Sequence, residues 1–190
     1  MTQGWVRAAE DFTEQADVTN WPARVVLTLV VLALIGLAVW GMARGWRARA
    51  ARQSDVPPPA ATPEGFRADT LPPVPGVYLA STRAGDWLDR VVVHGLGVRS
   101  RARLSVGTAG LVLERDGAAD VYVPAADLRG VRLDRGIAGA VYERGGLVVL
   151  TWDLGPTTLD TGFRADRTDD HVAVVAAVRA LVDTPHPDPA

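Results

Sequence analysis

From Val25 to Ala43 the chain runs for 19 residues without a charged side chain, and 11 of those residues are Val, Leu or Ile. At about 1.5 Å per residue the run reaches roughly 28 Å as a helix, close to a hydrocarbon core of about 30 Å. Eleven such residues at about −0.3 to −0.6 kcal/mol each favour insertion by roughly 3 to 7 kcal/mol. The run therefore predicts a transmembrane helix over 25–43. Trp21 precedes it, and Trp40 and Trp46 lie near its end, where indoles prefer the headgroup region.

A cleaved signal peptide is the competing reading, with Ala48-Arg49-Ala50 resembling a cleavage site. A signal peptide needs a basic leader, whereas Glu10, Asp11, Glu14 and Asp17 make this one acidic. Arg44, Arg47, Arg49 and Arg52 follow the apolar run as a stop-transfer signal, against Arg7 and Arg24 before it. Arginine near a helix end sets orientation, so the C-terminal side is expected in the cytoplasm and residues 1–24 outside the cell membrane. Nothing ionisable lies within the span, so a single such helix offers no translocation path.

The remainder divides by composition. Residues 44–75 combine the arginine cluster with Pro57-Pro58-Pro59, Pro63, Pro72-Pro73 and Pro75, which reads from Gln53 onward as an extended, semi-rigid spacer. Residues 76–184 alternate apolar runs with turn signals. Strands are expected at Val77–Thr82, Val98–Val106, Leu111–Arg115, Val121–Val123, Leu128–Leu133, Ala140–Glu143, Leu147–Asp153 and Thr157–Phe163. Asp116-Gly117, Arg129-Gly130, Arg135-Gly136, Gly145-Gly146 and Gly155-Pro156 are read as turn signals. A helix is expected over Asp86–His94, with a strand at Val91–His94 as the alternative. A clearer helix spans 169–183, with Val174, Ala177, Val178, Leu181 and Val182 on one stripe. Residues 185–190 form a tail.

The outcome is an antiparallel, closed or half-closed sheet capped by a C-terminal helix. The order of a Tyr122-Val123-Pro124 step, a Leu147–Trp152 strand, a Leu159–Arg164 hairpin arm and a final helix resembles the bacterial pleckstrin-homology-like (PH-like) domains. It is similar to small actinobacterial single-pass membrane proteins that carry one. The resemblance implies two bent antiparallel sheets, or a partly open barrel, plugged by the terminal helix.

Chemistry is scarce. All 20 basic residues are arginine, and there is no lysine or cysteine, which removes thiolate metal sites, cysteine nucleophiles and Schiff-base lysines. His94, His171 and His186 have no metal-ligand spacing and read as surface or helix-end residues. Asp166, Asp169 and Asp170 fit a loop and a helix N-terminus as well as they fit a cation site. No cofactor, metal or catalytic residue is expected.

Two surfaces remain. Arg99, Arg101 and Arg103 recur at i, i+2, i+4, which puts them on one face of a strand, with Arg83 and Arg90 in the preceding connection. They make either a solvated sheet face or an anion or lipid-headgroup site at about 1 kcal/mol per arginine beside an anionic membrane. From Gln53 on, 14 arginines face 18 acidic residues, which argues against nucleic acid. On the terminal helix Val172, Val175 and Ala176 form either a wider core contact or a stripe for a protein partner. The sequence thus points to a non-enzymatic, membrane-anchored module that binds a protein or an anionic lipid. The alternative is an accessory subunit of a transport, export or cell-envelope complex.

Overall fold

The computed structural model describes residues 21–184, and the chain divides into two compact units after Gly45. Helix α1 (Trp21–Arg52) contains the apolar run and extends beyond it at both ends. The segment Trp21–Ala48 has a mean hydropathy of 2.6 and is long and apolar enough to cross a membrane. Its Val, Leu and Ile side chains are exposed all round, as in a helix with no protein face to bury. Arg44 lies 5.8 Å from the Trp40 ring centroid.

The second unit is a single antiparallel sheet folded on itself. Its strands are β1 (Leu71–Arg83), β2 (Ser100–Gly107), β3 (Gly110–Arg115), β4 (Val121–Pro124), β5 (Leu128–Asp134), β8 (Leu147–Leu154) and β9 (Thr157–Ala165), ordered β4-β3-β2-β1-β9-β8-β5. Between β5 and β8 a small hairpin is inserted, β6 (Gly136–Ile137) with β7 (Ala140–Val141). Long β1 is the hinge of the sheet, pairing β2 along Leu71–Tyr78 and β9 along Gly76–Arg83. Helix α2 (Thr168–Val182) packs chiefly on β5.

Period-two alternation sorts the strand residues between two cores. Tyr78, Leu104, Leu113, Leu150, Trp152 and Phe163 face the inside of the bent sheet, which α2 closes with Val174, Val178 and Leu181. On the opposite face Leu79, Leu147 and Val149 would meet solvent without the β6–β7 hairpin, whose Ile137 covers them. Gly162 makes the room, since a Cβ there would stand 2.7 Å from Ile137 Cγ2.

Three sequence expectations are corrected. Residues 53–70 are not a free spacer. Gln53 is buried and holds Arg90 O and the Val92 amide through its side chain at 3.0 and 2.7 Å. Val56 joins the core, and Phe66 meets Tyr122 edge-on at 6.0 Å. The prolines permit this because their fixed φ also suits an extended strand, so β1 begins at Leu71.

The helix over Asp86–His94 does not form. Asp86 caps a turn, accepting the Leu88 and Asp89 amides at 3.0 and 3.3 Å. The chain is then drawn back to β1, with Val91 N donating to Ser81 O at 2.9 Å and Arg90 bridging Thr82. A short 3-10 turn at Val93–Gly95 follows, with His94 at φ 54°. Tertiary pairing outweighs a weak local helix pattern.

His171 is also not a surface residue. Buried in the first turn of α2, it accepts the Ala165 amide at Nε2 (3.0 Å), so Nδ1 carries the proton donated to Gly145 O (3.1 Å).

Candidate functional site

The arginines of the predicted anion surface are mostly engaged within the fold. Arg101 makes a bidentate pair with Asp166 at 2.9 and 2.7 Å, and Arg103 bonds Glu114 at 3.1 Å. The hydrogen bond and charge of Arg101 hold the Asp166 carboxyl below the usual range, and Asp166 in turn raises Arg101. Arg83 pairs with Asp55 and Asp89 at 3.2 and 3.4 Å. Arg90 donates to the carbonyls of Ala138 and Gly97. Arg99 precedes β2, and its guanidinium has no partner among the described residues. The structure thus sets Arg101 and Arg103 on one exposed face but leaves their charge paired.

Arg44 and Arg47 are exposed on α1, whereas the side chains of Arg49 and Arg52, like His186, lie outside the described residues. On α2, Val175 packs on the core, while Val172 is 66% exposed and Ala176 is exposed. The wider-contact reading therefore accounts for one of the three. Asp166 is spent on Arg101, and no metal-binding cluster occurs among the described residues.

Inside the sheet lies a polar chain. Tyr78 Oη donates to Leu96 O at 2.7 Å and lies 2.9 Å from Ser81 Oγ, which lies 2.6 Å from Thr161 Oγ1. Trp152 Nε1 donates to Thr161 Oγ1 at 2.8 Å, so one ordering satisfies every hydroxyl: Thr161 to Ser81, Ser81 to Tyr78, Tyr78 to Leu96. Buried Arg115 stacks on this tyrosine and donates to Ala119 O and Gly95 O at 2.7 and 2.9 Å. Its Nη2 has no partner among the described residues.

The sheet's outer face offers a pocket of about 500 Å³ between the loop after β1 and the β6–β7 hairpin. Trp87 and Val141 form its apolar walls. Its base is an ion pair: Arg132 grips buried Asp160 at 3.1 and 2.9 Å, Thr151 Oγ1 donates to Asp160 at 2.6 Å, and Arg132 Nε reaches Asp134 at 3.2 Å. Burial works to raise Asp134, but the Arg135 amide and the Arg132 guanidinium outweigh it and leave the carboxyl lowered. Sequence reasoning missed this site. It placed Trp87 within the helix expected over Asp86–His94, and only the long-range hairpin contact shows the indole at a pocket wall. The one local signal was an aromatic directly after the Gly85-Asp86 turn pair.

Among solved structures, the fold is similar to inner membrane complex sub-compartment protein 1 from Toxoplasma gondii. The two are 15% identical, with a TM-score of 0.43 over 65% of this chain and 98% of that one. Vav1 bound by an allosteric inhibitor is 13% identical, with a TM-score of 0.36 over 64% of this chain and 29% of that one. No curated protein matches the chain. The family model described as Bacterial PH domain-like matches residues 55–179, from the segment after α1 into α2. With its bent antiparallel sheet and closing C-terminal helix, the chain belongs to the Bacterial PH domain-like family.

Proposed function

We propose that this protein is a non-enzymatic, membrane-anchored interaction module whose PH-like domain engages a protein partner at the cytoplasmic face of the cell membrane. PH-like domains are generally protein or lipid interaction modules. The apolar α1 and the arginines that follow it support anchoring with the N-terminus outside.

One observation favours protein over lipid headgroup: four of the five arginines that would meet an anion are bonded internally, while Trp87, Leu88 and Val141 stand exposed. An anion would have to compete with carboxylates already in place on Arg83, Arg101 and Arg103, whereas burying half-exposed apolar side chains gains roughly 25 cal/mol per Å².

Reporter fusions at both termini test the orientation. A photo-crosslinking residue in place of Trp87, in cells, tests the partner, and a discrete protein adduct is expected. Adducts to lipid alone, or none, would overturn the reading, as would binding to anionic vesicles that is lost when Arg99, Arg101 and Arg103 are changed to Ser.

A further inference from the structure

The pocket beside Trp87 allows the partner to be described more closely, an inference that rests on the protein-partner reading above. Trp87 is 47% exposed and Val141 68%, and both face the same cavity. The backbone that carries the indole is not loose. The Ala138 amide donates to Trp87 O at 2.6 Å, Arg90 Nη2 holds Ala138 O at 3.0 Å, and Asp86 caps the turn from below. Gly136 lies alongside, where a Cβ would be 3.7 Å from Trp87 Cε3. A backbone fixed before binding loses little freedom on binding, and about 500 Å³ falls within the roughly 300–1,000 Å³ of ligand pockets.

Hydrogen-bonding capacity decides the polar half. The formal charges of Arg132, Arg135, Asp134 and Asp160 cancel, but their bonds do not. Asp160 receives Arg132 and Thr151, and Asp134 receives Arg132 and the Arg135 amide, so each carboxylate oxygen already has a donor. Among the charged residues lining the pocket, Arg135 alone has no side-chain bond among the described residues. Five unused N–H donors call for an acceptor, and a carboxylate matches their fork. Exposed Leu88, next to Trp87, carries the apolar surface beyond the pocket mouth, more than a small molecule would cover.

We infer that the pocket receives an acidic segment of a partner protein, with a large apolar or aromatic side chain between Trp87 and Val141 and a neighbouring Asp or Glu on Arg135. The test uses the full chain in nanodiscs of neutral lipid and fluorescein-labelled octapeptides with Phe-Glu, Phe-Gln, Phe-Arg or Ala-Glu at their centre, read by anisotropy. Phe-Glu is expected to bind at least tenfold tighter than the other three. Trp87→Ala should weaken it about tenfold, and Arg135→Glu should reverse the order of Phe-Glu and Phe-Arg. Equal binding of the four peptides, or no response to Arg135→Glu, overturns the inference. Arg135 is exposed, so that variant decides even if Trp87→Ala misfolds. Protein adducts at position 87 together with no acidic preference would sink the acidic motif alone, whereas the absence of adducts would sink both readings.

Discussion

The guanidinium of Arg115 lies 4.5 Å over the ring of Tyr78, and both are buried inside the sheet. Burial is the main force pushing the Tyr78 hydroxyl up to about 12 from 10.0, against the Ser81 bond and the charges of Arg115 and Arg90. A folded-state value above the unfolded one gives stability that is complete below about pH 10 and lost as pH rises through about 12. Two units correspond to about 3 kcal/mol. Unfolding midpoints measured from pH 8 to 12 should fall across that window, and Tyr78→Phe should flatten the decline. An unchanged slope in the variant would refute the assignment.

Acid should act through Arg101 and Asp166. The folded carboxyl is held low, so the pair contributes above the unfolded value of about 3.9 and is lost as pH falls through the lower folded one. Arg101→Ser should make the midpoint less sensitive to acid below about pH 4. The effect should shrink in high salt, because both side chains are solvent-exposed.

Docking of residues 53–70 onto the domain depends on Gly107, where any Cβ would run into the Arg67 carbonyl. Gly107→Ala should cost about 1–3 kcal/mol by overpacking and expose the segment to proteolysis near Arg67. A wild-type cleavage rate in this variant would show the segment to be free.

Two residues of α2 should separate sharply. Leu181→Ala removes a core side chain and is expected to cost about 2–5 kcal/mol, while Val172→Ser, on the exposed face, should stay within about 0.5 kcal/mol. Equal effects would mean that α2 buries a different face.

His171→Phe fills similar space but leaves the Ala165 amide and Gly145 carbonyl without their partner, at a cost of about 1–3 kcal/mol. Amide exchange at Ala165 should quicken more than at Leu150, which the histidine does not touch. Equal acceleration would mean global rather than local loosening.

The signals that survived from sequence to structure are periodic or compositional. The nineteen-residue apolar run forms one long helix, alternation at the start of β2 put Arg101 and Arg103 outside with Ala102 and Leu104 inside, and Gly155-Pro156 turned β8 into β9 as expected. These depend on near neighbours, so the residue string carries them. What the tertiary structure decided involves residues far apart in the chain. Gln53 reaches Val92, Ser81 draws Val91 out of a helix, and Asp166 neutralises an arginine 65 positions earlier. Arg101 and Arg103 look like free charge when only their spacing is read, and Trp87 looks like part of a helix. Carboxylates brought in from β3 and from the end of β9 neutralise the arginines, and the hairpin at Ala138 holds the Trp87 backbone beside the pocket, because long-range pairing fixes which polar groups remain unspent.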